Sequence, residues 1–349
     1  MFSRQMTASE RMQLQLKPEK RAEDTWVQKS GTQRDVVLLY LSMLRAAGLN
    51  GFAAKVVARD RALFDFSFMS DYQLDDTLVI LKTGGKEIPL DPGEKMCPFG
   101  MLHWKDSGAE SIGESAEGRA LIKTPLQDYS MNSTRRIGDI SVDERDGITG
   151  TFQITLSGQE ALNWRQAALR VDEAGLKTRF DRELAMSIPK SVEANSDHFQ
   201  GLDDSNADLI IKLSVKGSLG TVTGKRLILP VEFFAYRGDS SFANEEKRRL
   251  PVDMHYGEKV TDQVIYHLPS TMTVEVIPQD SKIAWEGRAV YVAQTKSLSG
   301  ELVIVRALAR AFTFAKAEDY QDLRDFYQKV ATAGQAQAVL TLAPAGTGN

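Results

Sequence analysis

Cysteine and histidine are both scarce in this chain: one cysteine, Cys97, and four histidines among 349 residues. A single thiol can form neither an internal disulfide nor a cysteine-based zinc site. His103, His198, His255 and His267 lie far apart in sequence and read as surface or satisfied strand residues rather than a ligand set. Long apolar runs are missing too. The longest, Val36 to Leu44, is broken by Ser42 and falls far short of the roughly 20 residues that a spanning helix needs. The first twenty residues lack the apolar core of about 7–15 residues expected of a signal peptide, so a chain starting at Met1 is expected to stay in the cytoplasm. Nor is there an excess of one charge. The net charge is −4, which argues against a nucleic-acid binder driven by its overall field. Lys225-Arg226 and Lys247-Arg248-Arg249, the latter following Glu245-Glu246, read as solvated turns. There is no GxSxG, phosphate loop or HExxH, and no motif calls for a cofactor or a metal.

What is present is an ordinary globular composition, 42% hydrophobic and 26% charged, in a chain long enough for two or three domains. A polar lead-in, 1–24, precedes a strongly helical stretch, Gln33–Ala47, whose apolar residues occupy nearly every face and predict a core helix stopped by Gly48. Phe52–Ala58 reads as a strand. Thr77–Leu81 and Glu87–Leu90 flank Gly84-Gly85 as a hairpin. A buried helix followed by antiparallel strands indicates an α+β fold. After an irregular stretch to about Asp128, Asp139–Val142 and Thr149–Leu156 straddle Asp146-Gly147 as a second hairpin. Ser157-Gly158-Gln159-Glu160 fits a capping box opening a helix to about Val171, and a further helix runs to about Ser187. The remainder is mostly strand, with alternation at Leu209–Val215, Val264–Leu268, Val274–Val276 and Leu302–Ile304. An amphipathic helix at about 317–331 is expected to pack on the last sheet. The expected division is therefore 25–128, then a β-rich region 129–342 with a subdomain boundary near 245, then a flexible tail 343–349.

The segment Gly31-Thr32-Gln33-Arg34-Asp35, the helix it opens and its ending Leu44-Arg45-Ala46-Ala47-Gly48 resemble the transglutaminase core of bacterial transglutaminase-like proteins, which carry β-rich domains of unassigned function on either side. Leu74-Asp75-Asp76-Thr77-Leu78 resembles the strand that bears the family histidine, and Leu90-Asp91-Pro92 the segment that bears its aspartate. Gly158-Gln159-Glu160-Ala161-Leu162, Gly224-Lys225-Arg226-Leu227-Ile228-Leu229-Pro230 and Leu323-Arg324-Asp325-Phe326-Tyr327 resemble the C-terminal β region. The resemblance spans about 25–342 without the family's leading β domain, which suggests a truncated chain. It implies a transglutaminase/papain-like core followed by a β-sandwich-rich region with a few helices. Such proteins are usually exported to the periplasm or cell surface.

In such a core a cysteine at a helix N-terminus is the nucleophile, a histidine takes its proton and an aspartate fixes the histidine's tautomer. Here the resemblance puts Gln33 at the nucleophile position, Asp76 at the histidine position and Asp91 at the aspartate position. An amide cannot form an acyl intermediate, so two of the three roles are gone. Thr32 is one residue off in helical phase and has no base. Cys97 is the alternative nucleophile, in a loop rather than at a helix start. Asp35, Asp75, Asp76 and Asp91 could instead serve carboxylate hydrolysis or bind a hard cation, with Arg34 as a counter-charge for Asp76 and Asp91. Asp75 and Asp76, at a strand entry, are expected to point to opposite faces. Phe64, Phe66, Phe68 and Tyr72, with Trp104, either border the former cleft or pack inward, packing being the simpler reading. The expectation is a catalytically inactive binding or structural module for a protein, peptide or cell-envelope glycan ligand. The competing expectation is an active thiol acyltransferase or peptidase, or a carboxylate hydrolase.

Overall fold

The computed structural model describes residues 8–13, 15, 21–68, 70–115, 118–235 and 246–342. The expected tail 343–349, most of the lead-in and the expected boundary near 245 fall outside the described residues. The chain is α+β and rich in strand, and it forms two compact units. One comprises residues up to Gln127 together with Asp203–Asn206; the other comprises the rest.

The first unit begins with helices α1 (Ala8–Gln13), α2 (Ala22–Gln28) and α3 (Gln33–Ala46). Five strands follow: β1 (Asn50–Val56), β2 (Asp76–Thr83), β3 (Lys86–Leu90), β4 (Glu110–Ser115) and β5 (Gly118–Lys123). They form one antiparallel sheet in the order β3-β2-β1-β4-β5. Thr32 caps α3. Its hydroxyl accepts from the Asp35 N–H at 3.3 Å while Asp35 Oδ2 accepts from the Thr32 N–H at 2.9 Å, so two orphan amides are satisfied reciprocally. Gly48, at φ +74°, ends the helix in the left-handed region that glycine adopts without strain. α3 is not buried all round as its composition suggests. Val37, Leu41 and Leu44 pack on Val79, Leu81 and Leu90, whereas Leu38 and Met43 stay exposed. An apolar residue has only a modest cost at the surface, so composition overstates the buried face. β2 is buried at four successive residues, Leu78–Leu81, as suits a strand covered on both faces.

The second unit contains β6 (Ser133–Val142), β7 (Gly147–Leu156), α4 (Gln159–Ala168), α5 (Glu173–Ala185), β8 (Val192–Gln200), β9 (Leu209–Ser218), β10 (Thr221–Thr223), β11 (Arg226–Pro230) and β12 (Val252–Asp253). It continues with β13 (Glu258–His267), β14 (Met272–Val276), β15 (Ser281–Trp285), β16 (Ala289–Leu298), β17 (Glu301–Arg310), β18 (Phe314–Ala315), α6 (Tyr320–Gly334) and β19 (Gln337–Leu342). An eight-stranded sheet runs β15-β16-β17-β13-β6-β7-β9-β8, and a four-stranded sheet runs β10-β11-β19-β14. β13 lies parallel to β6, the one parallel pairing among the described strands, and so joins two hairpins distant in sequence. The main core gathers Ile140, Phe152, Leu213, Phe234, Tyr266 and Leu340 from these layers. α6 buries Tyr320, Leu323, Phe326 and Val330 in a second cluster with Tyr291 and Leu308.

Two details of this unit depart from the sequence reading. Ser157 does not cap α4. Its hydroxyl lies with Ser133 and the Met131 carbonyl, and the cap comes from Asn132, whose Oδ1 accepts from the Gln159 N–H at 3.0 Å. Gly158, at φ +66°, sits where a side chain would collide with Asn132, which pulls the chain out of the geometry a serine cap requires. A buried ionic cluster also crosses the sheet. Asp262 accepts from Arg136 Nε at 2.6 Å and from Arg306 Nη2 at 2.7 Å, and Arg306 Nη1 reaches Glu232 at 2.6 Å.

Candidate functional site

Gln33, Asp76 and Asp91, the residues that the resemblance puts at triad positions, are all in the first unit, and the fold brings their neighbourhoods together. Gln33 is the first residue of α3, where the helix dipole is most positive. Its amide Nε2 is buried without a hydrogen-bond partner, and a side chain added at Gly93 would collide with Gln33, so the Asp91-Pro92-Gly93 turn sits directly against it. Asp91 is buried at the end of β3. Its Oδ1 accepts from the Glu94 N–H at 3.0 Å, and its Oδ2 is buried without a partner. Burial and the charge of Glu94 push the Asp91 carboxyl up to about 7, with Asp76 adding to the rise and Lys105 opposing it.

Asp76 opens β2 and holds an ion pair with Lys105 Nζ at 2.9 Å. The counter-charge is therefore Lys105. Arg34 is exposed on the first turn of α3. Its side chain leaves the helix on the solvent side, whereas Lys105, on a short 3₁₀ turn, Trp104–Asp106, is only 20% exposed and reaches Asp76. Asp75 goes elsewhere, accepting from Arg61 Nε at 2.5 Å and from the Ala58 N–H at 3.2 Å. Asp106, fully buried with both carboxyl oxygens unpartnered, is held protonated chiefly by burial and by the charge of Asp76. Lys105 and Asp106 are the residues that sequence reading misses. An adjacent Lys-Asp pair in a glycine-bounded loop carries no pattern separating it from solvated surface.

Cys97 belongs to the same neighbourhood but is not activated. Its thiol donates to the Met101 carbonyl at 3.3 Å, and burial, followed by the charges of Asp91, Glu94 and Asp106, raises it far above the ordinary thiol range. Thr32 and Asp35 are engaged in the helix cap. The described residues contain no cluster of histidine, cysteine and carboxylate that could hold a metal ion.

The aromatic segment turns outward instead of packing inward. Phe66, Phe68 and Tyr72 are 58%, 64% and 88% exposed, and Phe64 is half-buried with its ring edge-on to Phe66 at 4.9 Å. Gln73 fixes this loop from within, accepting from the Asp65 N–H at 2.7 Å and donating to the Phe68 carbonyl. Local polar bonds thus hold the loop together without a buried apolar face, and this is why its aromatics remain at the surface. Trp104 lies elsewhere, its carbonyl accepting from Arg59 Nη2 at 2.7 Å and its ring 5.6 Å from the Arg59 guanidinium.

Comparison with known proteins adds little about activity. A family described as a domain of unknown function with a solved structure, DUF3858, matches residues 225–340. No curated protein matches the chain. Among solved structures, the chain is similar to a Parabacteroides distasonis protein described as a "putative protease", with 11% identity and a TM-score of 0.48 over 92% of this chain. It spans about half of that protein, 46% of its length. A second similarity, to the P35 protein of a baculovirus, has 7% identity and a TM-score of 0.13, covering 61% of this chain and 97% of that one. No helix among the described residues is long and apolar enough to cross a membrane.

Proposed function

We propose that residues up to Gln127 form a transglutaminase-like domain without acyl-transfer activity, and that the protein acts as a binding or structural module for a protein, peptide or cell-envelope ligand. The carrying observation is the ion pair between Asp76 and Lys105 at the position where the resemblance implies the general base. A carboxylate already bonded to an ammonium is a poor proton acceptor, and Gln33 offers it no proton to take. Asp91 supports the same reading. With no imidazole to orient, it survives as a buried carboxyl that is half neutral near pH 7. The outward aromatics Phe66, Phe68 and Tyr72, on a loop held by its own hydrogen bonds, are the natural contact surface for a partner.

The thiol-enzyme alternative needs a thiolate, and burial beside the acidic groups of Asp91, Glu94 and Asp106 disfavours one at Cys97. The carboxylate-hydrolase alternative has raised carboxyls in its favour, but Asp91 Oδ2 and both oxygens of Asp106 are closed to solvent.

Intact-mass analysis after incubation with glutamine peptides and a labelled primary amine tests the loss of activity, and no covalent adduct is expected. Iodoacetamide at neutral pH should label Cys97 only upon denaturation. A trapped acyl adduct, or rapid native labelling, would overturn the reading. For the ligand, a screen with peptides and cell-wall glycans should yield binding that a Phe66→Ser/Phe68→Ser variant weakens.

A further inference from the structure

One enclosure lies wholly within the second unit, apart from the triad neighbourhood. It is a cavity of about 490 Å³ with a wall that includes Leu156, Phe180 and Leu184, a size in the range of small-molecule sites. Several of its lining charges are held in ion pairs. Arg136 is held by Asp262, Arg310 Nη2 by Glu258 at 2.7 Å, and Glu183 by Arg179 at 3.1 Å. Glu160 is held differently. It lies in the first turn of α4 and lines the cavity, and it forms no ion pair among the described residues. Two neutral donors fix its carboxylate: Trp164 Nε1 at 3.3 Å from Oε1 and Tyr256 Oη at 3.1 Å from Oε2. Tyr256 is half-buried, and burial beside two carboxylates keeps its hydroxyl protonated and donating. The result is an aimed carboxylate without a cation, beside the rings of Trp164, Phe180 and Tyr256 and a strip of leucine.

We propose that this cavity binds an organic cation on an apolar stem, a primary ammonium carried by an alkyl chain, with the ammonium on Glu160 and the stem along Phe180, Leu156 and Leu184. The carboxylate supplies the charge-assisted hydrogen bond, the aromatic faces add cation–π attraction, and the leucines take the methylenes. An anionic ligand would meet the Glu160 carboxylate, and Arg136 and Arg310 on the same wall are already bonded to carboxylates. Both a free alkylamine and the lysine side chain of a peptide carry this chemistry.

The test is calorimetric titration of the full chain with n-hexylammonium, hexan-1-ol, hexanoate and Nα-acetyl-lysine methylamide. Saturable one-to-one binding of hexylammonium is expected, at least about tenfold tighter than the alcohol and the acid. Glu160→Gln, which keeps the shape and the acceptor for Trp164, should weaken hexylammonium about tenfold with far-UV circular dichroism unchanged. Tyr256→Phe, which frees one carboxylate oxygen, should weaken it less and carries the test should Glu160→Gln fail to fold. Binding of the lysine derivative would identify a peptide side chain as the source; its exclusion, with hexylammonium retained, would identify a free amine. No saturable binding of hexylammonium, equal binding to Glu160→Gln, or preference for hexanoate would each overturn the assignment.

Discussion

Replacing Asp91 by asparagine should stabilise the first unit at neutral and alkaline pH, and the gain should vanish in acid. The carboxyl rises from the ordinary 3.8 to about 7 in the folded chain, mainly because it is buried. For a carboxyl whose folded value lies above its unfolded value, the folded state holds the proton longer. Stability is then complete below the unfolded value and is lost as pH climbs toward the folded one. The displacement is worth about 4 kcal/mol at 1.36 kcal/mol per pH unit, and about 3 kcal/mol of it falls between pH 4.5 and pH 8. Asp106 is raised in the same sense and adds to the slope, whereas Lys105, itself raised, stays charged throughout this window. Asp91→Asn removes only the first contribution. Cys97, the single thiol, is a reporter built into this unit, since its labelling by dithiodipyridine during a urea titration follows local opening independently of the second unit. With a urea slope of about 2 kcal/mol per molar, the wild-type midpoint should fall by about 1.5 M more than that of Asp91→Asn between pH 4.5 and 8. Parallel pH dependence in the two proteins would show that Asp91 is solvated, and the account of the site would fail with it.

Other perturbations have equally definite outcomes. Lys105→Met leaves Asp76 without its cation and should lower the stability of the first unit by about 3 kcal/mol, read by the same thiol assay. Arg306→Met leaves Glu232 without its cation and Asp262 with only Arg136 in the larger sheet, and should cost about 3–5 kcal/mol by urea unfolding, with Cys97 protection unchanged. Asn132→Ala removes the acceptor for the Gln159 N–H and the donor to the Gly257 carbonyl. A loss of about 2 kcal/mol, with faster amide exchange in the first turn of α4, is expected.

Local signals in the sequence are the ones that the structure repeats most faithfully. Gly84-Gly85 and Asp146-Gly147 close hairpins because residues in these turns adopt positive φ, +57° and +73° in the first and +72° at Asp146 in the second. The alternation at Leu209–Val215 is a strand with one face in the core. What sequence pattern does not carry is who answers whom at long range. Asn132 caps a helix that begins two residues after Ser157, and Lys105 neutralises an aspartate on a strand it does not adjoin in sequence. Neither Asn132 nor Lys105 has a periodicity or spacing that marks it, because an ion pair or cap across loops depends on tertiary placement alone. The aromatic loop fails to be legible for the opposite reason. Phe64, Phe66 and Phe68 read as a segment packing inward, but Gln73 and Asp65 satisfy the backbone locally and the rings of Phe66 and Phe68 stay outside.

The parallel seam between β6 and β13 has a consequence for any attempt to dissect this chain. β13 takes its neighbours from both sides of a long intervening stretch: Ser133–Ser141 along one edge and Glu301–Arg310 along the other. A fragment starting after β9 would therefore expose one whole flank of β13 as bare amides and carbonyls, and would take Arg136 from Asp262. Such a truncation should self-associate through that open flank rather than fold alone. The seam also forms only after both hairpins exist, so the larger unit should be slow to mature on the ribosome and depend on its last hundred residues.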